Sequence, residues 1–121
     1  MATVRYLVHD VDEAVAFYVD RLRFTLEQRM GPAFAVVSRG ELSLWVSGPQ
    51  SSAARAMPDG RAPEPGGWNR LVVQVDAIED VVDELRASGT TFRNDFVTGP
   101  GGTQILVEDP SGNPVELFQP A

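Results

Sequence analysis

The chain runs through one order of elements twice, and that repeat restricts the fold more than any other feature of the sequence. Residues 3–8, TVRYLV, are β-branched and aromatic and read as a strand. Asp10 followed by Glu13 is a D-x-x-E capping signal, and Val11, Val15, Tyr18 and Leu22 recur at helical spacing, which predicts a helix over 11–23. Strands are expected at 24–29, 33–38 and 42–47, separated by the turn signals Met30-Gly31-Pro32 and Arg39-Gly40-Glu41. The second half repeats this order. Asn69 to Val75 reads as a strand, and Asp76 with Glu79 repeats the cap. Ile78, Val81, Val82 and Leu85 form an apolar stripe that stops at Ala87-Ser88-Gly89. Strands are expected at 91–97, 103–107 and 114–119. An offset of 67 lays Ile78, Val82 and Leu85 on Val11, Val15 and Tyr18, and Asp76 on His9.

The expected fold class is α+β, built from two β-α-β-β-β modules at 1–47 and 68–121 within a single domain 1–121. Paired curved sheets of this kind tend to enclose a groove, and grooves hold ligands. Between the modules, residues 48–67 (GPQSSAARAMPDGRAPEPGG) lose all periodicity. This linker is either a plain connector or a mobile flap over a site.

Composition removes several classes of function. Asp and Glu number 17 against 10 basic residues, all of them Arg, for a net charge of -7. No nucleic-acid partner is expected, because phosphate neutralisation needs a basic face. There is no Cys and one His, so no disulfide framework, thiolate nucleophile or two-His metal site within one chain can form. No apolar run approaches the ~20 residues of a membrane helix. The opening MATVRYLVHDVD lacks a basic segment followed by an apolar one, so no signal peptide and a cytoplasmic location are expected. The Arg-only basic set and the Ala, Gly and Pro content suggest a high-GC bacterial coding sequence. Ser38, Ser43 and Ser47 have no His placed to activate them, and Gly99-Pro100-Gly101-Gly102 joins two strands and opens no helix. No catalytic residue is assigned.

Three stretches carry a family resemblance: VRYLVHDVDEAVAFYVDRLRF, VVQVDAIEDVVDELRASG and ILVEDPSGNPVELFQP. With the repeat, they resemble the vicinal oxygen chelate superfamily of glyoxalase I, bleomycin resistance proteins and extradiol dioxygenases. The resemblance implies eight strands and two helices, each module a half-barrel with a curved mixed sheet, and a homodimer with ligand sites built from modules of both chains. It also implies a divalent metal in the enzymes, held by a His or Gln on the first strand of a module and a Glu on its last. Carried over position by position, those places fall on Thr3, Leu44, Arg70 and Glu116. Leu44 cannot ligate, Arg70 has no lone pair, Thr3 is a weak neutral donor, and only Glu116 matches. No metal and no cofactor are expected.

Arg70 and Glu116 are instead expected to pair, either as a plug or with Arg70 offering spare donors to a ligand. Alternation puts Thr3, Arg5, Leu7 and His9 on one strand face, with Val4, Tyr6 and Val8 opposite. His9 reads as a surface or capping residue, with proton shuttling as the other role. Trp45 and Trp68 bracket the linker, and they and Phe34 are either stacking surfaces for a planar ligand or core or dimer-interface residues. The expected ligand-binding set is thus Arg70, Glu116, Thr3, Leu44, Arg5, Leu7, Phe34, Trp45 and Trp68. The resemblance implies a metal-free protein that binds a small aromatic or polycyclic molecule, as in sequestration of a toxic natural product for antibiotic self-resistance. The alternative is a divalent-metal-dependent lyase, isomerase or dioxygenase of the same superfamily.

Overall fold

The computed structural model describes residues 2–121, which fall into two compact units, Met1–Gly66 and Gly67–Ala121. Each is an α+β unit in which a helix covers one face of a mixed sheet.

In the first unit, β1 (Ala2–Leu7) leads to α1 (Val11–Ala16), and β2 (Thr25–Met30), β3 (Phe34–Arg39) and β4 (Leu42–Ser47) follow as a meander. The sheet order is β1-β4-β3-β2, with β1 parallel to β4 and the other pairs antiparallel. Ala35, Val37, Leu44 and Val46 are fully buried on one face of the sheet, with Val11, Ala14 and Tyr18 in the same core. Asp10 caps α1 as its spacing predicts, accepting from the Glu13 backbone N–H at 2.9 Å. The predicted single helix over 11–23 is not kept. After Ala16 the chain widens into a π turn, Phe17–Arg21, closed by the Leu22 N–H on the Phe17 carbonyl. This turn buries two consecutive aromatics, with Tyr18 edge-on between Phe17 and Phe24.

The second unit repeats the plan with β5 (Leu71–Gln74), α2 (Ile78–Ala87), β6 (Thr91–Phe92), β7 (Val97–Gly99), β8 (Gly102–Glu108) and β9 (Pro114–Pro120). β5 runs parallel to β9, β9 pairs with β8, and both β6 and β7 pair with β8. One strand was expected at 91–97. It breaks because side chains take over the backbone's hydrogen bonds: Asn94 Oδ1 accepts from the Leu106 N–H at 2.8 Å, and Asp95 Oδ1 from the Phe96 N–H at 2.9 Å.

The two halves also differ at their last turn. Arg39 and Leu42 face each other across two residues, whereas Glu108 and Pro114 are joined by five. That longer turn is held by buried Asp109, whose carboxylate accepts from the backbone N–H groups of Ser111 and Asn113 and from Asn113 Nδ2. Residues 48–67 are not a featureless tether at their start. The Gly48 N–H bonds the Ala33 carbonyl at 2.9 Å, and a short 3-10 turn follows at Ser52–Ala54. A side chain at Gly48 would strike Val11, so the segment leaves the sheet by close backbone approach. Among the described residues no helix is long and apolar enough to cross a membrane.

The second cap differs from its prediction. Asp76 makes no capping bond to α2, whose first N–H, that of Ile78, is bonded by Gln119 Oε1 of β9 at 2.8 Å. Gln119→Ala should therefore lower stability by about 1 kcal/mol, whereas Asp76→Ala should change it by less than about 0.5 kcal/mol. Urea unfolding of the two variants checks this, and a larger loss in Asp76→Ala would restore the D-x-x-E reading.

Candidate functional site

In each unit the parallel pair of first and last strands decides which side chains lie on the helix-free face. In the second unit Val72 stands opposite Glu116. Leu71, Val73 and Val75 are buried, while Val72 and Gln74 are exposed on the face that Glu116 shares. Arg70, one residue before β5, sends Nε and Nη2 to the same Glu116 Oε1 at 3.1 and 3.0 Å, and its Nη1 reaches the Trp68 carbonyl at 3.5 Å. The expected ion pair is present, with the Glu116 side chain 10% exposed and that of Arg70 29%. All three guanidinium nitrogens are thus aimed at protein acceptors.

Beside it lies a second arginine that belongs to no motif. Arg93 bonds Glu108 Oε2 at 2.8 Å and the carbonyls of Gly67 and Gly112 at 2.6 and 2.9 Å. The Trp68 ring lies 4.7 Å from its guanidinium. Trp68 is therefore no core residue: it is 69% exposed and has a cation behind it.

In the first unit Thr3, Arg5 and Leu7 stand opposite Ser43, Trp45 and Ser47. Phe34 and Val36 of β3 share that face through their pairing with Ser47 and Trp45. Arg5 lies among them. Its Nη1 donates to Ser47 Oγ at 3.1 Å, and its guanidinium carbon is 5.0 Å from the Trp45 ring and 5.9 Å from the Phe34 ring. Phe34 meets Trp45 edge to face at 5.6 Å. A cavity of about 420 Å³ opens here, lined by Arg5, Met30, Ala33, Phe34, Gln50, Ser51 and Ser52. Ser47, Gln50 and Ser52 were not foreseen, although alternation from Trp45 could have found Ser47. His9 is exposed beyond β1 and lines a separate small cleft with Pro32 and Pro49.

Leu44 does not belong to this face. It stands opposite Val4, is fully buried, and packs on the helix side. Aligning Gly40 with Gly112 slips the register by one residue because the second turn is longer, and a one-residue slip exchanges the faces of a strand. The first-unit counterpart of Glu116 is Trp45: Arg5 opposes Trp45 as Val72 opposes Glu116.

The four positions that would hold a divalent metal are therefore Thr3, Trp45, Arg70 and Glu116. They do not fit one. An indole and a guanidinium offer no lone pair, a hydroxyl is a weak donor, and the one carboxylate already accepts two N–H bonds from a cation. Among the described residues no three His, Asp or Glu side chains cluster to offer another site.

Known structures share this architecture. A lactoylglutathione lyase from Agrobacterium tumefaciens superposes with a TM-score of 0.75 at 20% identity, over 98% of this chain and 92% of its own. An antibiotic binding protein from a Streptomyces species gives 0.73 at 23% identity, over 98% and 93%. A superfamily member from Sphaerobacter thermophilus gives 0.76 at 24%, over 98% and 95%. These likenesses are of fold. No curated protein matches the sequence. The model of one family, however, matches residues 1–117, nearly the whole chain. The chain belongs to the Glyoxalase/Bleomycin resistance protein/Dioxygenase superfamily.

Proposed function

We propose that this protein binds and sequesters a small aromatic molecule without a metal and without turnover. The observation that carries the reading is the donor set Thr3, Trp45, Arg70 and Glu116, which trades metal ligands for an indole and an internal ion pair. Exposed apolar side chains on the helix-free face of each unit, Met30 at 57% in the first and Val72 at 54% in the second, supply area that a flat ligand on either face would bury. Arg5, Leu7, Phe34 and Trp45 are the contacts proposed in the first unit, with Thr3 at the margin, and Trp68 is the contact proposed in the second. Leu44, being fully buried, is not among them. A toxic natural product held for self-resistance is the concrete form of this reading. The fold shared with an antibiotic binding protein supports it. A homodimer in the cytoplasm completes the proposal.

A thermal-shift screen against planar natural products tests the reading. A true ligand at about 100 times its Kd should stabilise the protein by about 2.7 kcal/mol, and chelator should leave that shift unchanged. One tightly bound divalent ion per chain, with turnover lost on chelation, would overturn it in favour of a metal-dependent lyase, isomerase or dioxygenase.

Within the second unit Arg70 and Glu116 form a neutral floor for a ligand. Removing one partner leaves a largely buried charge, so Arg70→Ala should cost about 2–3 kcal/mol, near the low end for a buried pair because Arg70 is partly solvated. The double variant Arg70→Met/Glu116→Leu should be more stable than Arg70→Ala alone. Strict additivity in a double-mutant cycle would show that the two groups are not coupled.

A further inference from the structure

The arginines of the chain are not handled alike. Arg29, Arg61, Arg70, Arg86 and Arg93 each lie within ion-pair distance of a carboxylate. Among the described residues Arg5 has no carboxylate within that distance: its side chain's one hydrogen bond goes to the neutral hydroxyl of Ser47, and its other contacts are the two aromatic rings. Arg21 and Arg55 likewise have no ion pair among the described residues, so what distinguishes Arg5 is its place, as the one arginine on the wall of this cavity.

The rings and the hydroxyl hold the guanidinium in place. Cation–π contact with Trp45 and the Ser47 bond position it, and Arg5 is exposed, so ordering it here does not require desolvating it fully. A guanidinium has five N–H donors, and Ser47 takes one bond. The rest of the cavity wall is mixed. Met30 and Phe34 present apolar surface, while Ser52 and Gln50 present polar groups that make no hydrogen bond to the protein. Ser51 Oγ already donates to the Gly48 carbonyl, which leaves it an acceptor only.

We infer that Arg5 is the anion-recognition residue of the first unit, and that its cavity takes an aromatic carboxylate, the carboxylate on the Arg5 fork and the flat body on Phe34 and Met30. This rests on the binding reading above and adds to it a charge on the ligand. The fork geometry favours a planar two-oxygen group over a point anion. Arg70 and Arg93 of the second unit are less suited to this role, because each of their guanidinium nitrogens is already directed at a protein oxygen.

Matched probes test the inference on the unaltered protein. 2-Naphthoate and 2-naphthylmethanol carry the same ring and differ in the charged group. Titration followed by tryptophan fluorescence should show naphthoate binding about ten- to a hundredfold tighter, a preference that shrinks as salt rises. Arg5→Met should remove that preference while keeping the wild-type melting profile. Arg61→Met, which deletes an equal charge from an exposed pair elsewhere, should keep the preference. Equal affinity for both probes in the wild type, or an undiminished preference in Arg5→Met, overturns the assignment of Arg5. If neutral polycycles still protect the protein in that case, the sequestration reading stands without it. If neither naphthyl probe nor any neutral polycycle binds, both fall.

Discussion

The parallel pairing of first and last strands fixes what each unit can present. In β1 and β4, and again in β5 and β9, the register sends one set of side chains beneath the helix and the other to the free face. Val4 with Leu44 and Leu71 with Val115 are the rows on the helix side, and Arg5 with Trp45 and Val72 with Glu116 are those on the free face. The helix-side rows hold the register in place, since a slip of one residue would drive Arg5 or Glu116 under a helix and expose Val46 or Leu117. Any chemistry on the free faces is therefore secured by hydrophobic burial on the other side of the same strands.

Given that register, charge is managed by local partners. Arg70 and Arg93 lie against carboxylates that are themselves mostly covered, and backbone carbonyls take up their remaining nitrogens. A guanidinium with each of its three nitrogens engaged can lie against apolar surface at modest cost, which is how Trp68 comes to rest on Arg93 while staying largely exposed. The same logic holds for α2, where Gln119 supplies from a neighbouring strand the cap that Asp76 does not make.

Much of this was legible in the sequence. The helical stripes from Val11 and Ile78 and the Asp10 cap follow from periodicity and from the repeat, and the Arg70–Glu116 pair follows from the positions that the family resemblance implies. What failed has a common origin in long-range competition. Helical spacing runs on through Leu22, but packing of Phe17 and Tyr18 in one core widened the turn. The run 91–97 has strand composition, but Asn94 and Asp95 bonded backbone N–H groups first. Leu44 was placed on the wrong face because a glycine-to-glycine alignment cannot count the residues that a buried aspartate adds to a turn. Arg93 and Ser47 were missed because their partners are far away in sequence, and neither residue belongs to a motif.

The two repeats show how one backbone plan can be given opposite electrostatics. In the second unit an arginine lies just ahead of the strand and reaches diagonally to a glutamate on the last strand, so the two charges cancel. In the first unit the arginine is two places further along, directly opposite the position the glutamate would hold, and a tryptophan stands there instead. The ring orients the cation but cannot neutralise it, because a quadrupole attracts a cation without carrying a net charge. The positive charge left over is then available to whatever enters the neighbouring cavity. Trp45, where the resemblance implies a metal-binding carboxylate, thus has two effects at once: it leaves only the weak hydroxyl of Thr3 as a donor at those positions of the first unit, and it leaves Arg5 without an internal counter-ion among the described residues.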